Sequence, residues 1–277
     1  MSSSGAIREV RIGAADPPVL QSLVDLWAAR GLFSVLVWRQ INIRYAQTFF
    51  GMVWMLLQPG MTGLLYWLVF GVFVKVPTQG VPYPLFVLSG IVIWTVFSQG
   101  MERGSASLIQ DERLITKVYF PRLLLPLSAT VSVLADFVVS LVILAPICMA
   151  LGLAGVGLLW IPVALVPTLL MAGGMGMLFS SLNIRFRDLR QIAPFLVQAW
   201  IWATPVAYPL EVVPAPWVGP LLANPMSAPV LLFRHALTGS ALPPLWSVWT
   251  SLIGSVVIFL FGAWVFRRVE KDFADYI

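Results

Sequence analysis

The chain has 277 residues, of which 59% are hydrophobic and only 10% charged, with a mean hydropathy of +0.90. Soluble domains carry about 25% charged residues, so this chain lacks the polar surface to coat one or two of them, and disordered and fibrous classes are excluded by the same arithmetic. The formal net charge is +5, and a single cysteine, Cys148, leaves no internal disulfide to form.

The N-terminal stretch MSSSGAIREVRIGAADPP is polar, so no cleavable signal peptide is expected. Residues 20–44 are apolar but interrupted by Asp25, Arg30, Arg39 and Arg44, with Trp27 and Trp38 between them. Basic residues interleaved with aromatics suit a helix lying in the membrane interface; an ordinary lead-in to the first span is the alternative. Residues 45–74 and 76–101 carry no charge, and each can cross hydrocarbon as a helix of roughly 20 residues.

The segment 102–122, ERGSASLIQDERLITKVYFPR, carries seven charges in 21 residues and a small apolar face of Leu108, Leu114, Ile115 and Val118. It predicts either a short docking helix stopped by Pro121 or a solvated connector. The stretch 123–184 has one charge, Asp136, and is broken by Gly152, Gly155, Gly157 and Pro162. That predicts two spans, about 125–151 and 160–182. Residues 191–210 and 245–266 give a fifth and a sixth, the last ending at Arg267-Arg268. Strands of a membrane barrel alternate apolar and polar residues; these runs are apolar all round, which predicts helices.

Six spans put both termini on one side. Five basic residues then fall in the N-terminal arm, four in 102–122, three in 183–190 and three in the tail, against Lys75 and Arg234 on the other side. The positive-inside rule places both termini in the cytoplasm, and this topology explains the basic excess without nucleic acid. The expected organisation is a cytoplasmic arm with interfacial helix over 1–48, a six-helix transmembrane domain over 49–266, and a cytoplasmic tail over 267–277. The outer segment 209–244 holds eight prolines but only two charged residues, Glu211 and Arg234. It is apolar enough to dip back among the spans as short helices, and irregular backbone at that depth is tolerated only inside protein or beside a wet cavity.

The chemistry of an enzyme is absent. No G-x-x-x-x-G-K-[ST] occurs, so ATP is not bound through a P-loop. Leu88-Ser89-Gly90 lacks the glycine expected two residues before a nucleophilic serine, and the one histidine, His235, falls in the outer segment. No metal site and no cofactor are expected in this chain. Asp136 is the one ionisable residue well inside a span. Such acids suggest a proton relay or ion site, whereas a buried interhelical hydrogen-bonder is the plainer reading.

Two stripes are more informative. Gln58, Thr62, Tyr66, Phe70 and Phe73 share one broad face of the first span, and Gln191, Phe195, Gln198 and Trp202 one face of the fifth. Amides bond sugar hydroxyls and aromatic faces pack on the C–H surface of the ring, so the stripes suit a saccharide channel; helix packing explains them equally. Ala172, Gly176 and Ser180 form a small-xxx-small row that lets helices approach closely.

Several local runs carry a resemblance. Ile43-Arg44-Tyr45, Thr48, Gly51, Trp54 and Gln58-Pro59 resemble the start of the first span in ABC-type polysaccharide exporter permeases. Leu114-Ile115, Lys117 through Arg122 and Leu125-Pro126 resemble that family's first cytoplasmic loop, and Arg187-Asp188-Leu189, Gln198, Thr204-Pro205, Tyr208-Pro209 and Asn224-Pro225 continue the match in order. The resemblance spans roughly residues 20–270 and is strongest to permeases exporting lipid-linked O-antigen.

It implies an all-α integral inner-membrane protein with six transmembrane helices, an N-terminal interfacial helix and short periplasmic re-entrant helices. It further implies a homodimer, two ATP-binding cassette subunits that hold ATP and Mg, and export of a polysaccharide on undecaprenyl diphosphate. Asp111, Glu112, Arg113, Leu114, Ile115 and Lys117 would couple to the ATPase. Gln58, Thr62, Tyr66, Phe70, Phe73, Phe195, Gln198 and Trp202 would line the channel. Arg39 and Arg44 would meet the lipid head group, and Asn224 and Arg234 would serve the gate. The family often has Asn at the position of Asp111 and Glu at that of Leu231, so a gate salt bridge to Arg234 is in doubt. Other cargoes (capsule, teichoic acid, a drug) share the fold, and an ion-coupled carrier built on Asp136 is the alternative of another class.

Overall fold

A computed structural model describes residues 29–45, 53–75, 77–78, 80–112, 114, 120–153, 156–186 and 188–270; for Tyr45, Trp54, Met55, Leu56, Gln58, Pro59 and Val156 it describes the backbone alone. All regular structure among these residues is helical. In chain order the α-helices are α1 (Arg30–Tyr45), α2 (Trp54–Tyr66), α3 (Tyr83–Gln110), α4 (Leu124–Val131), α5 (Leu134–Ala150), α6 (Ile161–Arg185), α7 (Leu189–Trp200), α8 (Ala215–Ala223), α9 (Ser227–Thr238) and α10 (Leu245–Glu270).

The punctuation is set by proline and glycine. α3 and α8 start just after Pro82 and Pro214, each with a second proline in the first turn, where a missing N–H costs no hydrogen bond. α9 ends at Gly239, whose φ of 66° is the left-handed cap that glycine adopts freely.

Four helices are long and apolar enough to cross a membrane: Tyr83–Gln110, Leu124–Ala150, Gly157–Arg185 and Leu245–Glu270. They coincide with the second, third, fourth and sixth expected spans. The third is bent where α4 gives way to α5 at Ser132-Val133. The first expected span runs as α2 into a π-helical stretch, Trp67–Phe73. At the fifth, α7 has 12 residues and then tightens into a 3-10 turn, Ile201–Ala203. Twelve residues rise only about 18 Å, short of the roughly 30 Å hydrocarbon thickness, and Thr204 is already extended.

One boundary differs from the sequence reading. The second helix does not stop at 101; it continues to Gln110, so Glu102 and Arg103 belong to α3 rather than to a loop. Gly104, Ser105, Ser107 and Leu108 are buried there, because this turn packs against α4 and α6. Leu108, expected on an outward face, is 1% exposed in a cluster with Leu36, Phe120, Leu124, Leu125 and Phe266.

α3 is the axis of the fold. Its span is 72% buried inside the protein, whereas that of α10 is 22% buried and turns most of its surface outward. α6 packs against both. The small-residue row provides the close approach: a Cβ added at Gly100 would lie 3.1 Å from the Ala172 Cβ, and one at Gly104 3.0 Å from the Gly176 Cα.

Candidate functional site

Three arrangements converge on α3. The first is a cavity of about 390 Å³ between α2, α3 and α7. α2 supplies Thr62 and Tyr66, α7 and its 3-10 turn supply Gln198, Ile201 and Trp202, and α3 supplies Trp94, Thr95, Ser98, Gln99 and Glu102. The Tyr66 and Trp202 rings meet edge to face with centroids 6.1 Å apart, closing one wall.

The two stripes read from sequence therefore contribute four cavity residues: Thr62, Tyr66, Gln198 and Trp202. Phe70 stacks on Tyr66 at 5.9 Å and packs against the core. Phe73 is 77% exposed at the end of the π-helical stretch, whose wider turns break the regular α-helical spacing of the stripe. Phe195 is 68% exposed beside the cavity rather than in it. The side chain of Gln58 lies outside the described residues. The α3 wall was not anticipated, although Thr95, Ser98, Gln99 and Glu102 form a polar stripe at helical spacing in an apolar run.

The second arrangement holds α1 to the bundle. Arg44 Nη1 donates to Asp136 Oδ2 at 2.9 Å and to Gln99 Oε1 at 3.3 Å. Arg103 Nη2 donates to the same Asp136 oxygen at 2.5 Å and to Gln99 Oε1 at 2.5 Å, while its Nη1 reaches Ser132 Oγ at 3.3 Å. Asp136 is thus a buried acceptor serving two guanidinium groups, and its cost inside the bundle is offset by those charge-assisted bonds.

About two turns farther along, at the cap of α3, Arg39 Nη2 donates to Asp111 Oδ1 at 2.6 Å and Gln40 Nε2 to Oδ2 at 3.0 Å. Asp111 is 5% exposed with both oxygens turned to α1. Glu112 is exposed and Leu114 half-buried; Arg113, Ile115 and Lys117 lie outside the described residues.

The third arrangement organises the non-helical segment after α7. Arg234, 2% exposed, donates from Nη2 to the carbonyls of Pro205 (2.9 Å) and Val206 (2.7 Å) and from Nε to that of Phe86 (3.3 Å). Its guanidinium carbon lies 3.7 Å from the centre of the Phe86 ring. These contacts explain how Arg234 is accommodated with leucine at 231: backbone carbonyls and an aromatic face stand where an acid was missed. Gly90 makes this possible, since a Cβ there would fall 2.6 Å from the Val206 carbonyl oxygen and 2.9 Å from Arg234 Nη2.

Asn224 fastens the same segment from the other side. Its Oδ1 accepts from Trp200 Nε1 and from the Met226 N–H, both at 3.1 Å, and its Nδ2 donates to the Ala203 carbonyl at 2.8 Å. Arg234 and Asn224 thus both hold the end of α7, Asn224 at its 3-10 turn and Arg234 at the turn beyond. Among the described residues there is no group of His, Cys, Asp and Glu that could hold a metal ion.

Comparison with known proteins agrees with this architecture. The chain is 32% identical over 262 residues to the O-antigen export system permease protein RfbA of Myxococcus xanthus, covering 91% of this chain and 98% of that one. It is 23% identical to a protein of the same name from Klebsiella pneumoniae, covering 88% and 94%. It is 21% identical to the polysialic acid transport protein KpsM of Escherichia coli, covering 72% and 78%. Residues 31–238 match the ABC-2 type transporter family. With its long apolar helices, this chain belongs to the ABC-2 type transporter family as a multi-pass membrane protein.

Proposed function

We propose that two copies of this chain form the membrane path of an ATP-driven exporter that moves polysaccharide, carried on undecaprenyl diphosphate, from cytoplasm to periplasm. The observation that carries this reading is the cavity between α2, α3 and α7, where amides, hydroxyls and indole rings share one wall. Hydroxyls and amides exchange hydrogen bonds with a sugar while Trp94, Tyr66 and Trp202 cover its apolar faces. Relatives named for O-antigen export match nearly end to end, which supports the lipid-linked cargo.

In this reading α2 with its π-helical stretch and α7 complete six spans, both termini are cytoplasmic and α1 lies along the cytoplasmic interface. α8 and α9 are the re-entrant pair on the periplasmic side, where Asn224 and Arg234 brace the gate. Arg39 and Arg44 keep 40% and 34% of their side chains exposed. Each pairs with an acid through one nitrogen, and the part of each side chain that stays exposed is what we assign to the diphosphate. Glu112, Arg113, Leu114, Ile115 and Lys117 couple to the partner ATPase, which binds ATP and Mg, while Asp111 anchors that end of α3 to α1. Similarity to KpsM makes a capsule-type glycan the second reading of the cargo. An ion-coupled carrier is disfavoured because Asp136 is occupied by two arginines.

The test uses the permease reconstituted with its ATPase. Leu114→Ala or Lys117→Ala lowers ATP hydrolysis and glycan export together, whereas Trp202→Ala lowers export and leaves hydrolysis in place. Export and hydrolysis both unchanged in all three variants would overturn the assignment.

A further inference from the structure

Resting on the cavity as the glycan path, we propose that Glu102 is a specificity-determining residue that restricts this exporter to glycans without carboxylate or phosphate groups on their repeating units. Glu102 is the one charged side chain among the described residues lining the cavity. It is exposed, on the same α3 face as Thr95 and Gln99.

The neighbouring cations are directed elsewhere. Arg103, one position along α3, spends its donors on Asp136, Gln99 and Ser132. Arg44 is held by Asp136 and Gln99. Gln99 stands between these arginines and the cavity and accepts from both through Oε1, so neither arginine lines the wall that Glu102 shares. Among the described residues the carboxylate charge is therefore the one the wall presents, beside the Trp94 and Trp202 indoles.

This charge sorts cargo by simple chemistry. A carboxylate accepts hydrogen bonds from neighbouring sugar hydroxyls and pairs with the ammonium of an unacetylated amino sugar. It repels a uronate, a sialate or a phosphodiester brought alongside, and like-charge juxtaposition is an effective way to reject a wrong partner. In a paired permease the charge acts twice on the same path. The anionic diphosphate is spared, because Arg39 and Arg44 lie on α1, outside the cavity lining. The path thus has a basic station for the head group and an acidic one for the chain that follows.

The experiment uses the complete permease–ATPase complex in phosphatidylcholine vesicles with two lipid-linked glycans of equal length, one neutral and one with a uronate in each repeat. Export of each is measured beside ATP hydrolysis. The wild type exports the neutral glycan about tenfold faster, Glu102→Gln brings the ratio to within about twofold by raising acidic export, and Glu102→Arg reverses the preference. Equal export of both glycans by the wild type, or a ratio unmoved by both substitutions at normal ATP hydrolysis, would overturn the proposal. Export of neither glycan by an active ATPase overturns the polysaccharide reading itself, an outcome separate from loss of selectivity alone.

Discussion

α3 meets arginines near both its ends and accommodates them in opposite ways. Near its start, Arg234 is held by three backbone carbonyls and the Phe86 ring, with the Glu211 carboxylate near enough to act on it electrostatically. Toward its end, Arg44 and Arg103 share the Asp136 carboxylate, and Arg39 takes Asp111. Two of the three carbonyls, those of Pro205 and Val206, lie in the turn that follows the 3-10 stretch, and the third, of Phe86, lies in the first turn of α3. At the other end the helical carbonyls already accept backbone N–H groups, and the arginines take carboxylates, which make the stronger charge-assisted bonds. The first solution ties a cation to local chain geometry; the second ties three helices together through side chains alone.

Breaking the carbonyl solution has the largest expected effect. Arg234→Met leaves three buried carbonyls without their charged donor and costs about 4 kcal/mol in denaturant titration of the purified protein in mixed micelles. Arg234→Lys keeps the charge but loses the planar fork and recovers only about half of that. Full recovery by lysine would show that charge, not geometry, holds the turn.

The shared carboxylate ranks next. Asp136→Asn costs about 2–3 kcal/mol, less than a fully buried pair because the two arginine side chains stay 34% and 21% exposed. A double-mutant cycle between Arg44 and Asp136 isolates the part that fastens α1 and gives a coupling of about 1 kcal/mol. Zero coupling would mean that α1 is held by its apolar contacts alone.

Asp111→Asn has the smallest effect, about 1 kcal/mol, since Arg39 is 40% exposed and solvent screens the pair. Raising the salt from 0.05 M to about 0.5 M shrinks this difference further while leaving the Arg234 variants unchanged. Equal salt sensitivity at both ends of α3 would erase the distinction between them.

Much of the fold was legible because hydrocarbon imposes a length rule on apolar runs, and the four long spans fall on apolar runs read from the sequence. The exceptions have physical causes. Residues 102–110 look like a loop by charge, yet Gly104, Ser105, Ser107 and Leu108 pack helix against helix, and tertiary contact overrides polarity. The fifth span was drawn through Thr204-Pro205 because apolarity does not register where a helix ends when the following chain is buried too. Of the cavity, two walls were visible as stripes on α2 and α7. The α3 wall was missed because a helix buried on most sides shows no contrasting face, and its Thr95–Glu102 stripe was taken partly as span and partly as loop.

Composition and the distribution of basic residues were enough to place this chain in a membrane, since apolar run length and the excess of Lys and Arg on one side are properties of sequence alone. Local runs were enough to point to its family. The partners of its charges were not readable. Arg39 meets Asp111 across 72 positions and Arg44 meets Asp136 across 92, and no local pattern encodes which acid a distant arginine will find. Only the packing of α1, α3 and α5 decided that, and with it which charge, among the described residues, lines the cavity.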